Sequence, residues 1–171
     1  MRLKKIIFIL LITTTSVAQE PVIDAGAEVL EVANSYIGKR IKTGICWQFV
    51  HRVLVETGNT VSLSDSVEIP LPGDIYVTNG IYDSVVPLLD EGYVYEYQVY
   101  GGKIGPHVAI ISKVLGDHKF EILDQNSKGR RNPVTKRIID ISVGPGQTSL
   151  GCYFLRPKKG IAPKHKFGGY F

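Results

Sequence analysis

The chain has 171 residues, of which 44% are hydrophobic and 21% charged, with a formal net charge of +4. That charge belongs to the ends. Removing the three cations of the first residues (Arg2, Lys4, Lys5) leaves about +1, and five more (Arg156, Lys158, Lys159, Lys164, Lys166) lie in 156–171, so the body from 19 to 155 carries about −4. A basic body able to grip nucleic acid is therefore excluded.

Met1–Lys5 followed by the apolar run Ile6–Ile12 has the order of a secretory leader, and Ser16-Val-Ala18 fits its small-x-small cleavage site. The run is short and Thr-broken for a membrane span. The expected division is a signal peptide over 1–18, one domain over 19–157 and a basic, Gly-rich tail over 158–171. Such a chain is exported, periplasmic or secreted, without a membrane span. A body of this size supports a single core. The expected state is a monomer.

Asp24 is placed to cap a helix over about 25–37, with Val29, Val32, Ala33, Tyr36 and Ile37 on one stripe and Gly38 as its stop. A second helix opens at Cys46 and runs to Glu56, ended by Gly58; Phe49, Val50, Val53 and Leu54 share the stripe of Cys46. A thiol at a helix start meets backbone N–H groups and the positive end of the dipole, which favour thiolate. His51, five residues on, lies about 140° around the helix and is not placed to be its partner.

Strands follow at Ile75–Val77, His107–Ser112, Phe120–Asp124, Val134–Ile141 and Cys152–Arg156. Two helices followed by meandering strands predict an α+β fold, with N-terminal helices packed on an antiparallel sheet. Between Asn79 and Gly105 lies a long segment with the alternating tyrosines of Tyr93-Val-Tyr-Glu-Tyr97. Alternation predicts a strand with one aromatic face, read either as an extra hairpin covering the core or as an aromatic wall beside a cleft.

Gly116-Asp117 suits a two-residue II′ turn. That turn sets Ile111 opposite Ile122, Ala109 opposite Asp124 and His107 opposite Asn126, with Asp124 the same-face diagonal neighbour of His107. One hairpin face thus ends in His107, Asp124 and Asn126. An imidazole held by a polar third group can activate a thiol whose free pKa is ~8.5. The candidate catalytic set is Cys46, His107, Asp124 and Asn126, with Asp124 or Asn126 orienting the histidine.

Each signal has a plainer reading. Cys46 and Cys152 in an exported chain suggest a disulfide. His107 after Gly-Pro can simply end a strand, and Asp124-Gln-Asn126 can be only a turn. His118 falls in the hairpin turn and His165 in the tail, both solvated. Metal ligation lacks CxxC, HExxH or a histidine pair at helical spacing.

Together, Cys46-Trp-Gln-Phe-Val50, Pro72-Gly-Asp-Ile-Tyr-Val77, Gly105-Pro-His-Val-Ala-Ile-Ile111, Ile122-Leu-Asp-Gln-Asn126 and Tyr153-Phe-Leu-Arg-Pro157 resemble, in order, the CHAP family. These are cysteine- and histidine-dependent amidohydrolases and peptidases of bacterial cell-wall metabolism, related to NlpC-like enzymes through a papain-like core. The resemblance implies a nucleophile at Cys46, a base at His107, orienting residues at Asp124 and Asn126, no metal or organic cofactor, and a peptidoglycan peptide as substrate. The family usually has a longer acid where Asp124 stands. NlpC-like enzymes follow the cysteine with Ser-Gly, so Trp47-Gln48 favours the CHAP branch. The alternatives are a cell-wall-binding or scaffold domain of the same fold without turnover, and an acyltransferase.

Overall fold

The structure is a computed structural model that describes residues 24–82, 84–90, 93–101, 104–126 and 132–161, with side chains described outside 82–100. The segment expected to be a leader and most of that expected to be a tail, His165 included, lie outside these residues. Helix α1 spans Ala25–Ser35 and α2 spans Cys46–Glu56. The strands are β1 Asn59–Thr60, β2 Ser66–Val67, β3 Ile75–Thr78, β4 Ile81–Tyr82, β5 Ser84–Asp90, β6 Tyr93–Tyr100 and β7 His107–Gly116. They continue with β8 Lys119–Asp124, β9 Thr135–Asp140, β10 Thr148–Ser149, β11 Cys152–Leu155 and β12 Lys158–Lys159.

The fold is α+β, with two N-terminal helices on an antiparallel sheet ordered β2-β11-β3-β7-β8-β9. Asp24 caps α1 as its side chain suggested, with Oδ1 accepting the Gly26 N–H at 2.9 Å. The stripe Phe49, Val50, Val53 and Leu54 of α2 is fully buried against Ile75, Val108, Ile110 and Leu123. Each such side chain contributes about 1.5–3 kcal/mol through burial, enough to fix the helix on the sheet.

The opposite sheet face gathers Tyr76, Ala109, Ile111, Phe120, Ile122 and Ile139, with Phe154 packed against them. Phe120 on β8 and Phe154 on β11 bring their ring centroids to 5.2 Å. In a flat sheet strands three positions apart stand about 14 Å from each other. The sheet therefore curls, and its concave face closes on an aromatic cluster instead of on a helix.

The β7–β8 hairpin reaches the expected register by an unexpected route. The turn is Asp117-His118, with Gly116 paired to Lys119, and Gly116 lacks the positive φ that a II′ turn needs. Two irregularities on β7, between Val114 and Gly116 and between Ile111 and Lys113, then bring Ile111 opposite Ile122 and Ile110 opposite Leu123. Ser112 is the extra residue at the second, and its hydroxyl donates to the Glu121 carboxylate at 2.6 Å. The two displacements total an even number of residues, so side-chain faces survive. His118 is exposed in the turn.

The long segment before His107 forms the two-stranded sheet β5–β6, its base closed by pairing of β4 with β10 and by the Ile81–Ile104 bridge. An extra hairpin is thus the backbone structure there; its tyrosine side chains lie outside the described ones.

The turn Pro72-Gly73-Asp74 ties β3 to its surroundings. Buried Asp74 accepts two hydrogen bonds from the Arg156 guanidinium, at 3.2 and 3.0 Å, joining the start of β3 to the end of β11. Gly73 has φ 93, and a Cβ there would stand 2.1 Å from the Gly26 carbonyl oxygen on α1. Gly73→Ala combines left-handed strain with a backbone clash, and should cost about 3 kcal/mol or more. The expected result is a fall in Tm on the order of 10 °C in thermal unfolding; an unchanged Tm would show that the turn is not packed on α1.

Candidate active site

Cys46 is the first residue of α2. Ile45 before it has no polar side chain with which to cap the helix. Gln48 turns back instead, its Oε1 accepting from the Thr43 backbone and hydroxyl, both at 2.9 Å. The α2 stripe lays the helix across β7 with its first turn over the strand's beginning. There the His107 imidazole and the backbone N–H groups of Val108 and Trp47 lie near enough to the Cys46 sulfur to stabilise its thiolate form. His51 stacks on Trp47 at 5.5 Å and takes no part.

His107 is the first residue of β7 and is 7% exposed. Its Nε2 lies 2.7 Å from Asp124 Oδ2, which leaves Nδ1 for the thiol. Asp124, at the end of β8, is completely buried. The diagonal relation expected from the hairpin therefore holds, and it is Asp124 that bonds the imidazole. Asn126 is placed differently. It stands two residues beyond β8 with φ 66, while the β7–β8 pairs run only from Ile110/Leu123 to Gly116/Lys119, so it is not a ladder partner of His107. Its short polar side chain is one of the few that tolerate this left-handed geometry, which ends the extended run of β8.

Two further residues belong to the site. Arg137 on β9 reaches the same Asp124 oxygen, Nε to Oδ2 at 2.5 Å. It does so because Thr135 pairs with Asp124 and Arg137 with Ile122, making Arg137 a diagonal neighbour on one side as His107 is on the other. Gln125 is completely buried and faces the loop before α2. The sequence predicts the strand that carries Arg137 but not its register on β8, so the diagonal place of Arg137 does not follow from it. Gln125 looked like part of a turn.

Burial alone would raise the Cys46 pKa; the hydrogen bond and charge of His107, with the Val108 and Trp47 N–H groups, outweigh it and pull the thiol below its ordinary value. Burial alone would lower that of His107; hydrogen bonds to Asp124 and Cys46 and their charges lift it to about 9. Both shifts favour a thiolate–imidazolium pair at neutral pH. Cys152 is the contrast. Burial pushes its thiol up to about 11, with the nearby Tyr76 phenol opposing the shift only in part. Both cysteines are free, so the disulfide reading of the sequence is not the structure found. Cys152 lies two strands from His107, opposite Thr78, which itself pairs with His107.

Among the described residues no group of three His, Cys, Asp or Glu side chains could hold a metal ion, and no helix is long and apolar enough to cross a membrane.

No family model matches the chain, and no curated protein matches it. Among solved structures it is similar to the crystal structure of Ly7917, at TM-score 0.45 and 18% identity over 77% of this chain. The crystal structure of Ly7917 with the hydrolyzing product of MDP matches at TM-score 0.44 and 18% identity, again over 77% of this chain. The chain spans 62% of the length of each.

The two diagonal contacts on Asp124 act on His107 with opposite signs. Replacing Asp124 by Asn removes the carboxylate that stabilises the imidazolium, and should lower the His107 pKa from about 9 toward the free value of ~6.5. Replacing Arg137 by Met removes a competing cation and should raise it. NMR titration of the imidazole checks both, and shifts of the same sign would contradict this electrostatic account. Since the folded value lies above the free one, imidazolium stabilisation is complete below pH ~6.5 and is lost as pH rises through about 9.

Proposed function

We propose that this chain is an exported thiol-dependent hydrolase that cleaves amide or peptide bonds of peptidoglycan stem peptides or cross-bridges. The single observation supporting the chemistry is the continuous contact from Cys46 at a helix start, through the His107 ring, to buried Asp124 at 2.7 Å. A nucleophile, a base and an orienter in hydrogen-bond sequence are what thiol acyl transfer needs. The substrate class rests on the likeness of the sequence motifs to the CHAP family and on the leader-like first residues.

In this mechanism the Cys46 thiolate attacks the carbonyl carbon, forming an S–C bond as the carbonyl becomes an oxyanion. The Cys46 backbone N–H, at the start of α2, is the donor this mechanism assigns to that oxyanion. Collapse breaks the C–N bond, and His107 gives its proton to the departing amine, leaving a thioester. His107 then takes a proton from water, whose oxygen attacks the thioester; the carboxylic product leaves and the thiolate–imidazolium pair returns. Asp124 keeps Nε2 engaged, so Nδ1 is the nitrogen that handles protons. Acyl transfer to an amine would use the same first half.

The expected outcome is that the mature chain releases soluble fragments from purified peptidoglycan, with mass spectrometry naming the bond, while Cys46→Ala loses about 10³-fold or more of the rate. Equal product release by the two proteins would remove Cys46 as nucleophile. Activity should also fall on the alkaline side near pH 9, where His107 loses its proton.

A further inference from the structure

We propose that Gln125 is a positioning residue for Cys46, its carboxamide fastening the start of α2 to the strand end that carries Asp124 and so setting the thiol–imidazole separation. The inference rests on the reading of Cys46 and His107 as a reactive pair, and goes beyond it by naming what fixes their distance.

The carboxamide is used at both ends. Its oxygen accepts the Ile41 N–H at 3.0 Å, and its nitrogen donates to the carbonyls of Ile41 at 3.3 Å and Ile45 at 2.6 Å. Ile45 is the residue immediately before the nucleophile. The loop it holds has little regular structure of its own: residues 39–45 belong to no helix or strand, and Lys42 sits at φ 50. Gln48 fastens the Thr43 side of this loop, and Gln125 fastens its inner side across about eighty residues of sequence.

A polar side chain at complete burial is costly unless every polar atom is paired, and an apolar residue would fill the same volume without that cost. Ile122 and Leu123, just before it, are apolar and equally buried. What the amide adds is direction. Successive side chains leave a strand end on opposite sides, so Asp124 reaches His107 while Gln125 reaches Ile45. Two adjacent residues thus locate both members of the pair relative to one backbone segment. Near-attack geometry tolerates little error, and a displacement of about 1 Å costs about 100-fold in rate.

The test is the pH dependence of Cys46 alkylation by iodoacetamide in the full chain, with peptide mapping to separate Cys46 from Cys152. The comparison is wild type against Gln125→Met, which keeps the length without the amide. Gln125→Glu, which keeps the acceptor for Ile41 but sets a carboxylate against the Ile45 carbonyl, is the second variant. Wild type should react with a midpoint well below the ~8.5 of a free thiol. In the folded variants the midpoint should move up toward that value and the rate at pH 6.5 should fall about 10-fold or more. A wild-type midpoint and rate in either folded variant overturns the proposal, as does loss of the fold in both, which would make Gln125 a structural residue only. If wild-type Cys46 itself titrates like a free thiol, the reactive pair fails first and the positioning role falls with it.

Discussion

The hydrogen bond between His107 Nε2 and the buried Asp124 carboxylate is the interaction on which this architecture converges. It joins the first residue of β7 to the last of β8, so it exists only if the hairpin between them closes in the right register. It fixes the ring so that Nδ1 faces the start of α2. It also puts a carboxylate fully out of water, which is tolerable because Arg137 arrives on the same oxygen from the third strand. Three neighbouring strands therefore share one polar junction, and disturbing any of them alters the charge of the imidazole.

The two sheet faces divide the work. The face under α1 and α2 is dry and apolar, and its packing decides where the first turn of α2 lies. The concave face is aromatic toward the hairpin turn and polar at the end where His107, Asp124 and Arg137 meet. The thiol and the imidazole come from different layers and meet at the strand's beginning, where neither layer's packing is interrupted. The same environment separates the two cysteines. Cys46 has an imidazole and backbone N–H groups to stabilise a thiolate, whereas Cys152, only partly buried, has a phenol and stays a thiol at neutral pH.

Register in the β7–β8 hairpin is held by the core and not by the turn. Gly116-Asp117 suggested the turn, the chain turns one residue later at Asp117-His118, and two irregularities absorb the difference. The face assignment survived because the core demanded it: Ala109, Ile111, Phe120 and Ile122 must point to one side whatever the turn does. Asn126 had no such constraint. Beyond the last core residue of β8 nothing apolar holds the alternation, and a left-handed residue redirects the chain.

By itself the sequence determined the α+β class, both helix starts, the principal strands and the alignment of His107 with Asp124. These follow from hydrophobic periodicity, which acts over a few residues, with the Asp24 cap adding the start of α1 and the alternation of core residues holding the hairpin faces although the turn itself lies one residue later. Only the tertiary structure decided that Cys46 meets His107, that Arg137 shares the Asp124 carboxylate and that Gln125 reaches the loop before α2. Those contacts join residues 13 to about 80 positions apart. They depend on how layers pack and on registers reached through irregular loops, and no local pattern encodes either.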